Sequence, residues 1–217
     1  MTITMKVLKS REEWLAKRRN YIGGSEASAV IGYNPYQSNI DLWELKTGRR
    51  KAEDISNKPY VLYGTKAEEH LRELFKLDFP QYKVEYVDNN MFFNDKYPFA
   101  HASLDGWLTD ADGRMGILEI KTTEIMGSVQ REKWNKQIPN NYYIQVLHYM
   151  MVLEADFAVL KGQLKSNFDD MPSLQTKHYY IERSEVENDI QFLANAEKEF
   201  YQHIKNDTLP NLILPQI

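Results

Sequence analysis

The feature that most constrains the fold of this chain is a short apolar stretch, residues 117–121, that carries Glu119 and Lys121 among aliphatic side chains. Side chains alternate between the two faces of a β-strand, so a strand here places Glu119 and Lys121 on one face. An ionisable pair in an apolar strand costs free energy unless the groups are paired or bind a metal ion. A carboxylate suits Mg²⁺, and an ammonium can hold a water or a phosphate beside it. Taken alone, the triplet fits a half-exposed strand with its polar residues outward at least as well.

Two further carboxylates lie where they could join this pair. Asp105 is on a predicted strand that leads into residues 110–113, whose Asp-Ala-Asp-Gly sequence is a hairpin signal. Adjacent antiparallel strands bring Asp105 and Glu119 together if the register is suitable. Glu68 falls in the first turn of a predicted long helix. Convergent carboxylates with Lys121 are what metal-assisted cleavage of a phosphodiester requires.

Hydrophobic periodicity, caps and turn residues predict the secondary structure. Helices are predicted at residues 12–19 (capped by Ser10), 26–31, 38–45 (capped by Ser38), 65–77, 141–153 and 184–205 (capped by Ser184). Strands are predicted at residues 82–87, 91–94, 100–109, 116–122, 157–163 and 177–182, with loops at residues 49–58 and 165–176. This order predicts an α/β (α+β) fold with a mixed central β-sheet flanked by helices.

Composition excludes several classes of protein. The chain has no cysteine, which excludes disulfides and iron–sulfur clusters and fits an intracellular protein. No apolar run approaches the roughly 20 residues of a membrane span, and residues 1–10 lack a signal-peptide core, so we expect no membrane association. With 27 basic and 31 acidic residues the net charge is −4, so we expect DNA binding only at a local basic patch.

Several other side chains are candidates for the site. Gln145 and Tyr149 share a helix face and could hydrogen-bond toward it, although a buried tyrosine beside a glutamine is common. We leave His148 out of the catalytic set because we expect it to pack in the helix. We also leave out His101, which faces the side of Asp105 only if the predicted strand is unbroken.

The tryptophans have separate interpretations. We expect Trp43 and Trp107 to be core residues. Trp134 lies in a polar, basic stretch, where an aromatic ring can stack on a base. A surface loop or a subunit contact is at least as plausible for Trp134.

Six short motifs follow one another along the chain. They are residues 18–27, 32–36, 42–48, 64–68, 103–106 and 118–121. Together with the Gln-x-x-x-Tyr pattern that begins at Gln145, their order resembles the YqaJ-type viral recombinases, which include the lambda-type exonucleases of the PD-(D/E)xK nuclease superfamily. The matches run from about residue 11 to residue 165. The order of the six motifs is far more specific than any one of them.

The resemblance implies a restriction-endonuclease-like PD-(D/E)xK core in a single nuclease domain, residues 1–217. Residues 61–165 would be the catalytic core, with a helical segment, residues 10–60, in the DNA-end pocket and a C-terminal strand and helix at residues 177–206. The implied activity is that of an alkaline exonuclease that uses Mg²⁺, or Mn²⁺ instead. It would degrade one strand of duplex DNA from the 5′ end and leave a 3′ single-stranded overhang for phage-type homologous recombination.

The resemblance also implies partners and a location. The partners would be double-stranded DNA ends, a single-strand annealing protein and further copies of the chain in a ring trimer. The enzyme would be phage or prophage encoded and would act in the cytoplasm of a bacterial host.

By motif position, the resemblance assigns roles at the cutting centre. Asp105 and Glu119 would be the principal metal ligands, with the Ile120 carbonyl as a further ligand. Glu68 would hold a second metal ion or its waters. Lys121 would assist the attacking water.

The resemblance assigns the remaining site residues to the substrate. Gln145 would orient the nucleophile or the DNA. Arg18, Ser25 and Ser103 match the positions of a 5′-phosphate pocket, where arginine offers a bidentate fork and Ser25 a hydroxyl and backbone N–H groups at a helix start. Ser25 as a plain helix cap and Ser103 as a small strand residue are the alternatives.

Two alternative functions stay open. One is an endonuclease of the same fold. The other is a catalytically inactive relative that binds DNA ends, against which the intact Asp105, Glu119 and Lys121 argue.

Overall fold

The computed structural model describes residues 2–166 and 172–215. The helices are α1 (Arg11–Arg18), α2 (Gly24–Val30), α3 (Asn39–Lys46), α4 (Pro59–Asp78), α5 (Ser128–Glu132), α6 (Asn140–Leu153) and α7 (Arg183–Lys205). The strands are β1 (Ile3–Val7), β2 (Ile22–Gly23), β3 (Lys83–Glu85), β4 (Asn90–Asn94), β5 (Ala100–His101), β6 (Gly106–Thr109), β7 (Met115–Ile125), β8 (Phe157–Ser166) and β9 (Ser173–Glu182). Within these ranges, no helix combines the length and apolarity needed to cross a bilayer.

A five-stranded sheet in the order β3-β6-β7-β8-β9 forms the centre of the fold. The β7–β8 pair is parallel and the other pairs are antiparallel, so the sheet is mixed, as predicted. Two small sheets, β1–β4 and β2–β5, complete the strand pairing of the described residues. The predicted α/β class is confirmed.

Alternation along β7 separates two hydrophobic clusters. Leu118 and Ile120 pack with Phe75 of α4 on one face. Ile117 packs in the main core, to which α6 contributes a continuous buried run from Ile144 onward. Glu119 and Lys121 share the face of Ile117, which lies toward α6.

Local capping and turn signals are confirmed. Ser10 Oγ accepts a hydrogen bond from the Glu13 N–H at 3.2 Å and caps α1. Ser38 caps α3 in the same way. Gly113, with φ of 78°, closes the predicted hairpin between β6 and β7.

The long helix begins earlier than predicted. It starts at Pro59, so Glu68 lies in its third turn rather than its first. Proline suits the first position of a helix because its missing N–H has no partner there. Gly64 lies inside the helix close to β7, where an added Cβ would stand 3.2 Å from Thr122 Oγ1.

The predicted strand at residues 100–109 is broken. β5 ends at His101 and β6 begins at Gly106, so the prediction that Asp105 lies on a strand is wrong. The Asn90 side chain replaces the backbone hydrogen bonds that a neighbouring strand would make to Leu104. Its Oδ1 accepts from the Leu104 N–H at 2.8 Å, and its Nδ2 donates to the Leu104 carbonyl at 2.9 Å. The break places Asp105 in an irregular segment between the two strands.

Two other predictions are corrected. Helix α7 begins at Arg183 with Glu182 at its N-cap, so Ser184 is not the cap. β8 and β9 extend into the predicted loop at residues 165–176, whose residues 167–171 lie outside the described residues. β1 was not predicted.

Trp134 is a core residue, and none of the three surface roles considered for it holds. Its side chain is 2% exposed and its ring centroid lies 5.7 Å from that of Tyr142 and 5.9 Å from that of Tyr179. Gly162 leaves room for the ring, since a Cβ there would come within 2.8 Å of it. The sequence neighbours of Trp134 are polar and therefore predicted a surface position. Its apolar surroundings in the fold come from other elements.

Candidate active site

Glu119 is the centre of a buried polar cluster. Its side chain is almost fully buried, and Lys121 Nζ lies 2.5 Å from its Oε1. Gln145 Nε2 donates to the same oxygen at 2.7 Å and lies 2.9 Å from Tyr149 Oη. Among the described residues, Glu119 Oε2 has no hydrogen-bond partner although it is buried. The cluster thus leaves one carboxylate oxygen open to a ligand.

Asp105 lies next to Glu119 because of the sheet register. Gly106 pairs with Leu118, and one further step places Asp105 opposite Glu119. Asp105 Oδ2 accepts a hydrogen bond from the Ile120 N–H at 2.8 Å, which fixes the carboxylate at the start of β6. The predicted closeness of the two carboxylates is thus present in the structure.

Glu68 reaches the same place from α4. It lines one small cavity, of about 200 Å³, with Asp105, Ile120 and Lys121. The structure therefore brings together every residue predicted for the cutting centre, since Gln145 holds Glu119 from α6.

Burial and mutual repulsion raise the pKa values of these carboxyl groups. For Glu119, burial and then the charge of Asp105 raise the pKa to about 8. For Glu68, the same two causes raise the pKa to about 7. Burial also raises the pKa of Asp105, against the opposing effect of Lys121. Burial acts to lower the pKa of Lys121, but Glu119 and Asp105 outweigh it and raise that pKa. A cation entering the cluster would relieve this repulsion.

The donor set fits a hard divalent cation with part of its shell left to solvent. No three His, Cys, Asp or Glu side chains of the described residues form a ready-made metal cage. Mg²⁺ does not need one, because it commonly binds through one or two carboxylates and keeps several waters. The open Glu119 Oε2, the neighbouring Asp105 and the nearby Glu68 supply such a set.

The residues predicted for the 5′-phosphate divide into two groups. Ser25 and Ser103 line a cavity of about 360 Å³ together with Asp105 and Gln145. Arg18 is not part of that wall, but its Nη2 donates to Ser25 Oγ at 2.6 Å. One cavity is thus lined by both serines and by Glu68, Asp105 and Gln145 of the cutting centre, with Arg18 directly behind Ser25.

Ser103 is already fully engaged in hydrogen bonds. Its Oγ accepts from Trp14 Nε1 at 3.0 Å and donates to the Asn90 carbonyl at 2.8 Å. Ser103 therefore also fixes the irregular segment that precedes Asp105.

A buried ion pair supports this end of the cavity, and sequence reasoning missed it. Lys46 Nζ lies 2.7 Å from Glu26 Oε2 and donates to the carbonyls of Arg18 and Tyr21. Burial acts to raise the pKa of Glu26, but Arg18 and Lys46 outweigh it and lower that pKa to about 2. Both residues fall within the six sequence motifs, which was the signal that could have found them.

Two arginines of the site were also missed. Arg11 lines the cavity with its Cζ 4.1 Å from the Trp14 ring centroid. Arg72 donates from Nη1 to the Asp105 carbonyl at 2.7 Å and lies 3.3 Å from Glu68 Oε1. The spacing of Arg72 from Glu68 resembles an ordinary surface ion pair, so the sequence offers only a weak signal.

His101 and His148 are both buried, and their pKa values are shifted in opposite directions. His148 Nε2 donates to the His101 carbonyl at 2.9 Å, and Nδ1 lies 2.7 Å from Glu197 Oε1. Burial acts to lower the pKa of His148, but Glu197 outweighs it and raises that pKa. Burial, followed by the charge of Arg18, lowers the pKa of His101 to about 3, so the ring that lines the cavity is neutral.

Comparison with known families agrees with this geometry. The sequence model of the YqaJ-like viral recombinase domain matches residues 13–156. The chain therefore belongs to the YqaJ-like viral recombinase family.

One relative and two solved proteins illustrate the similarity. The chain is 34% identical over 158 residues to protein YqaJ of Bacillus subtilis (strain 168), a match that covers 70% of this chain and 47% of the relative, so this chain spans about half the relative's length. The alkaline exonuclease LHK-Exo of Laribacter hongkongensis has a similar fold, with a TM-score of 0.64, 18% identity and coverage of 90% of this chain and 95% of that one. The same enzyme is known in complex with dAMP, with a TM-score of 0.60 and 16% identity over 90% of this chain and 95% of that one. A phage related exonuclease of Haemophilus somnus 129PT follows, with a TM-score of 0.54, 14% identity and coverage of 86% and 96%.

Proposed function

We propose that this chain is a Mg²⁺-dependent double-stranded DNA exonuclease that degrades one strand in the 5′→3′ direction and leaves a 3′ overhang. One observation carries the proposal: Glu68, Asp105 and Lys121 line one cavity, and the Glu119 carboxylate is buried beside Lys121 with its Oε2 accepting no hydrogen bond from the described residues. Buried carboxylates with strongly raised pKa values are typical of functional sites.

The residues of the cluster divide the work of phosphodiester cleavage. When bound, Mg²⁺ would polarise the phosphate and make its bound water more acidic. Asp105, Glu119, Glu68 and the Ile120 carbonyl would hold it. Lys121, fixed by its contact with Glu119 at 2.5 Å, would hold the attacking water beside the phosphate.

Gln145 takes part by fixing the orientation of Glu119. Its amide donates to Glu119 Oε1, which leaves Oε2 as the oxygen that faces a ligand. In this proposal Gln145 acts as a positioning residue for the carboxylate and, through it, for the nucleophile.

The proposed direction of degradation rests on the part of the larger cavity that Ser25 and Ser103 line. Ser25 and Ser103 lie in the wall that also holds Asp105, and Arg18 is bonded to Ser25. The Arg18 guanidinium and the Ser25 hydroxyl can donate to a terminal phosphate, whereas Ser103, whose O–H donates to the Asn90 carbonyl, would shape the wall of the pocket. A 5′-phosphate held there would present the first phosphodiester to the carboxylates. The dAMP complex of LHK-Exo supports a deoxynucleoside monophosphate as the product.

We extend the proposal to assembly and setting. The whole chain would act as one nuclease domain, in a ring trimer that passes its product strand to a single-strand annealing protein in the cytoplasm of a bacterial host. Family membership supports these points, and the net charge of −4 fits DNA binding on an inner surface only. Light scattering during gel filtration tests the trimer.

The test of the function uses linear duplexes labelled at either the 5′ or the 3′ end, with 5′-phosphate or 5′-hydroxyl termini, and a closed circle. We expect wild-type protein with Mg²⁺ to release the 5′ label first, to prefer 5′-phosphate and to leave circles intact. Lys121→Ala should abolish cleavage, whereas Lys83→Ala, a change of an exposed lysine at the edge of the same sheet, should not.

The outcomes separate the alternatives. Arg18→Ala should abolish the preference for a 5′-phosphate end. Early release of the 3′ label would contradict the direction, and cutting of circles would indicate an endonuclease. Intact linear duplex over a range of pH would indicate an inactive protein that binds DNA ends.

A further inference from the structure

Arg72 makes contacts that tie the two sides of the proposed metal centre together. From the fourth turn of α4, its Nη1 donates to the Asp105 carbonyl at 2.7 Å and lies 3.3 Å from Glu68 Oε1. It thus contacts one metal-ligand candidate through the backbone and another through the side chain. Since Asp105 lies in an irregular segment, no strand ladder fixes that backbone in place of Arg72.

The Arg72 guanidinium is itself fixed in place by burial and by stacking on an aromatic ring. Arg72 is 5% exposed, and its Cζ lies 3.5 Å from the centroid of the Tyr86 ring. Tyr86 and Glu68 line the same cavity as Asp105. A planar guanidinium stacked on an aromatic ring can hold two acceptors in fixed directions, which a lysine cannot do.

Such a buried arginine is poorly explained by stability alone. A buried ion pair contributes little net free energy over an apolar replacement, because desolvation offsets the attraction. A geometric role accounts better for an arginine whose acceptors both belong to one site. Groups that orient metal ligands in this way commonly set the metal affinity.

We infer that Arg72 is a positioning residue for the proposed metal centre: it fixes the Glu68 carboxylate and the Asp105 backbone relative to each other, so that both face one cation. The inference rests on the proposed function. It also limits Glu68, because Oε1 is committed to Arg72 and Oε2 is the oxygen left to face the cation or its waters.

The test measures metal binding directly, with Mn²⁺ alone as the probe. Isothermal titration of the DNA-free protein should give a Kd for Mn²⁺ that is weaker by about 10–100-fold in Arg72→Met than in wild type. The Mg²⁺ concentration for half-maximal cleavage of linear duplex should rise with it. Arg72→Lys, which keeps the charge but not the planar fork, should also bind Mn²⁺ more weakly than wild type.

A matched control separates positioning from general stability. Arg183 has the same kind of partners away from the site: Nη1 donates to the Met150 carbonyl at 2.8 Å, and Nε lies 2.7 Å from Glu187 Oε2, four residues along α7. Arg183→Met should lower the thermal unfolding temperature in EDTA as Arg72→Met does, while its Kd for Mn²⁺ stays at the wild-type value.

A double-mutant cycle tests whether Arg72 acts through Glu68. In a Glu68→Gln background, Arg72→Met should weaken Mn²⁺ binding by a smaller factor than in wild type, since the two residues are coupled. Wild-type Mn²⁺ affinity in folded Arg72→Met and Arg72→Lys, with wild-type cleavage intact, would overturn the inference and leave the proposed function standing. Absence of Mn²⁺ binding and of cleavage in the wild type itself would overturn both.

Discussion

At the scale of single residues, the buried carboxyl groups decide what this cavity can do. Glu119 and Glu68 have pKa values raised to about 8 and about 7, first by burial and then by the charge of Asp105. Each of these two carboxyl groups therefore keeps its proton to a higher pH than a free glutamate does. In the proposed metal centre a divalent cation would displace these protons, so metal binding and proton release would be coupled.

The coupling gives a prediction with a definite sign. Because these folded-state pKa values are raised, Mn²⁺ binding at pH 7 should release protons, and the release should fall as the pH passes above 8. Titrations in buffers with different ionisation enthalpies count the released protons. Glu68→Gln should release fewer at pH 7, and a binding enthalpy independent of buffer would contradict the account.

Individual residues also show how far a sequence predicts a site. The shared face of Glu119 and Lys121 follows from strand alternation, which is local, and it is present in the structure. The role of Arg72 depends on Tyr86 and on the Asp105 backbone, which are distant in sequence. Trp134 was misassigned for the same reason, since its apolar partners lie on other elements.

At the scale of elements, the site depends on how closely α2 packs on α6. Gly24 lies against the ring of Tyr149, and an added Cβ would overlap that ring. Tyr149 in turn lies 2.9 Å from the Gln145 amide that holds Glu119. A glycine at this point of α2 therefore lets α6 present its polar face to the cavity.

The close packing of Gly24 against Tyr149 predicts that adding one methyl group at Gly24 affects both stability and cleavage. Gly24→Ala should destabilise the protein by about 1–3 kcal/mol, because a buried ring must shift, and it should also slow cleavage through Gln145. Urea unfolding and the cleavage rate measure the two effects. Gly127→Ala is the control, since a Cβ there meets no atom of the described residues within 4 Å. Equal stability of the two variants would contradict the packing argument.

Elements were predicted well where their signals are local. The Ser38 cap and the hairpin at residues 110–113 set the start of α3 and the turn into β7. The break before β6 was missed because the hydrogen bonds to the Leu104 backbone come from the Asn90 side chain of β4 and not from a paired strand. The early start of α4 was missed because Gly64, a residue with low helix propensity, precedes the predicted start at Thr65.

At the scale of the whole molecule, α7 packs on the core behind the cavity through apolar side chains and a buried polar pair. Glu197 and His148 are both fully buried, and His148 also bonds to the His101 carbonyl at the end of β5. The pair links the C-terminal helix to α6 and to the small β2–β5 sheet. Amphipathic spacing predicted a helix here, but the partner of Glu197 could not be read from it.

Removing one member of this pair should be costly. Glu197→Ala leaves Nδ1 of the buried His148 without its partner and should lower the free energy of unfolding by about 3–5 kcal/mol. Denaturant unfolding measures the change, with the exposed neighbour Lys198→Ala as the control. A loss equal to that of Lys198→Ala would show that the pair does not hold α7 to the core.

The central proposal concerns the whole chain: that this member of the YqaJ-like viral recombinase family cuts DNA from a 5′ end with the cluster around Glu119. The most direct measurement is mass spectrometry of the products released from 5′-phosphorylated linear duplex by wild type and by Glu119→Gln, with and without Mg²⁺. The account predicts deoxynucleoside 5′-monophosphates from the 5′-terminal sequence, only from wild type and only with Mg²⁺. Mononucleotides from Glu119→Gln at the wild-type rate, or none from wild type with Mg²⁺, would contradict it.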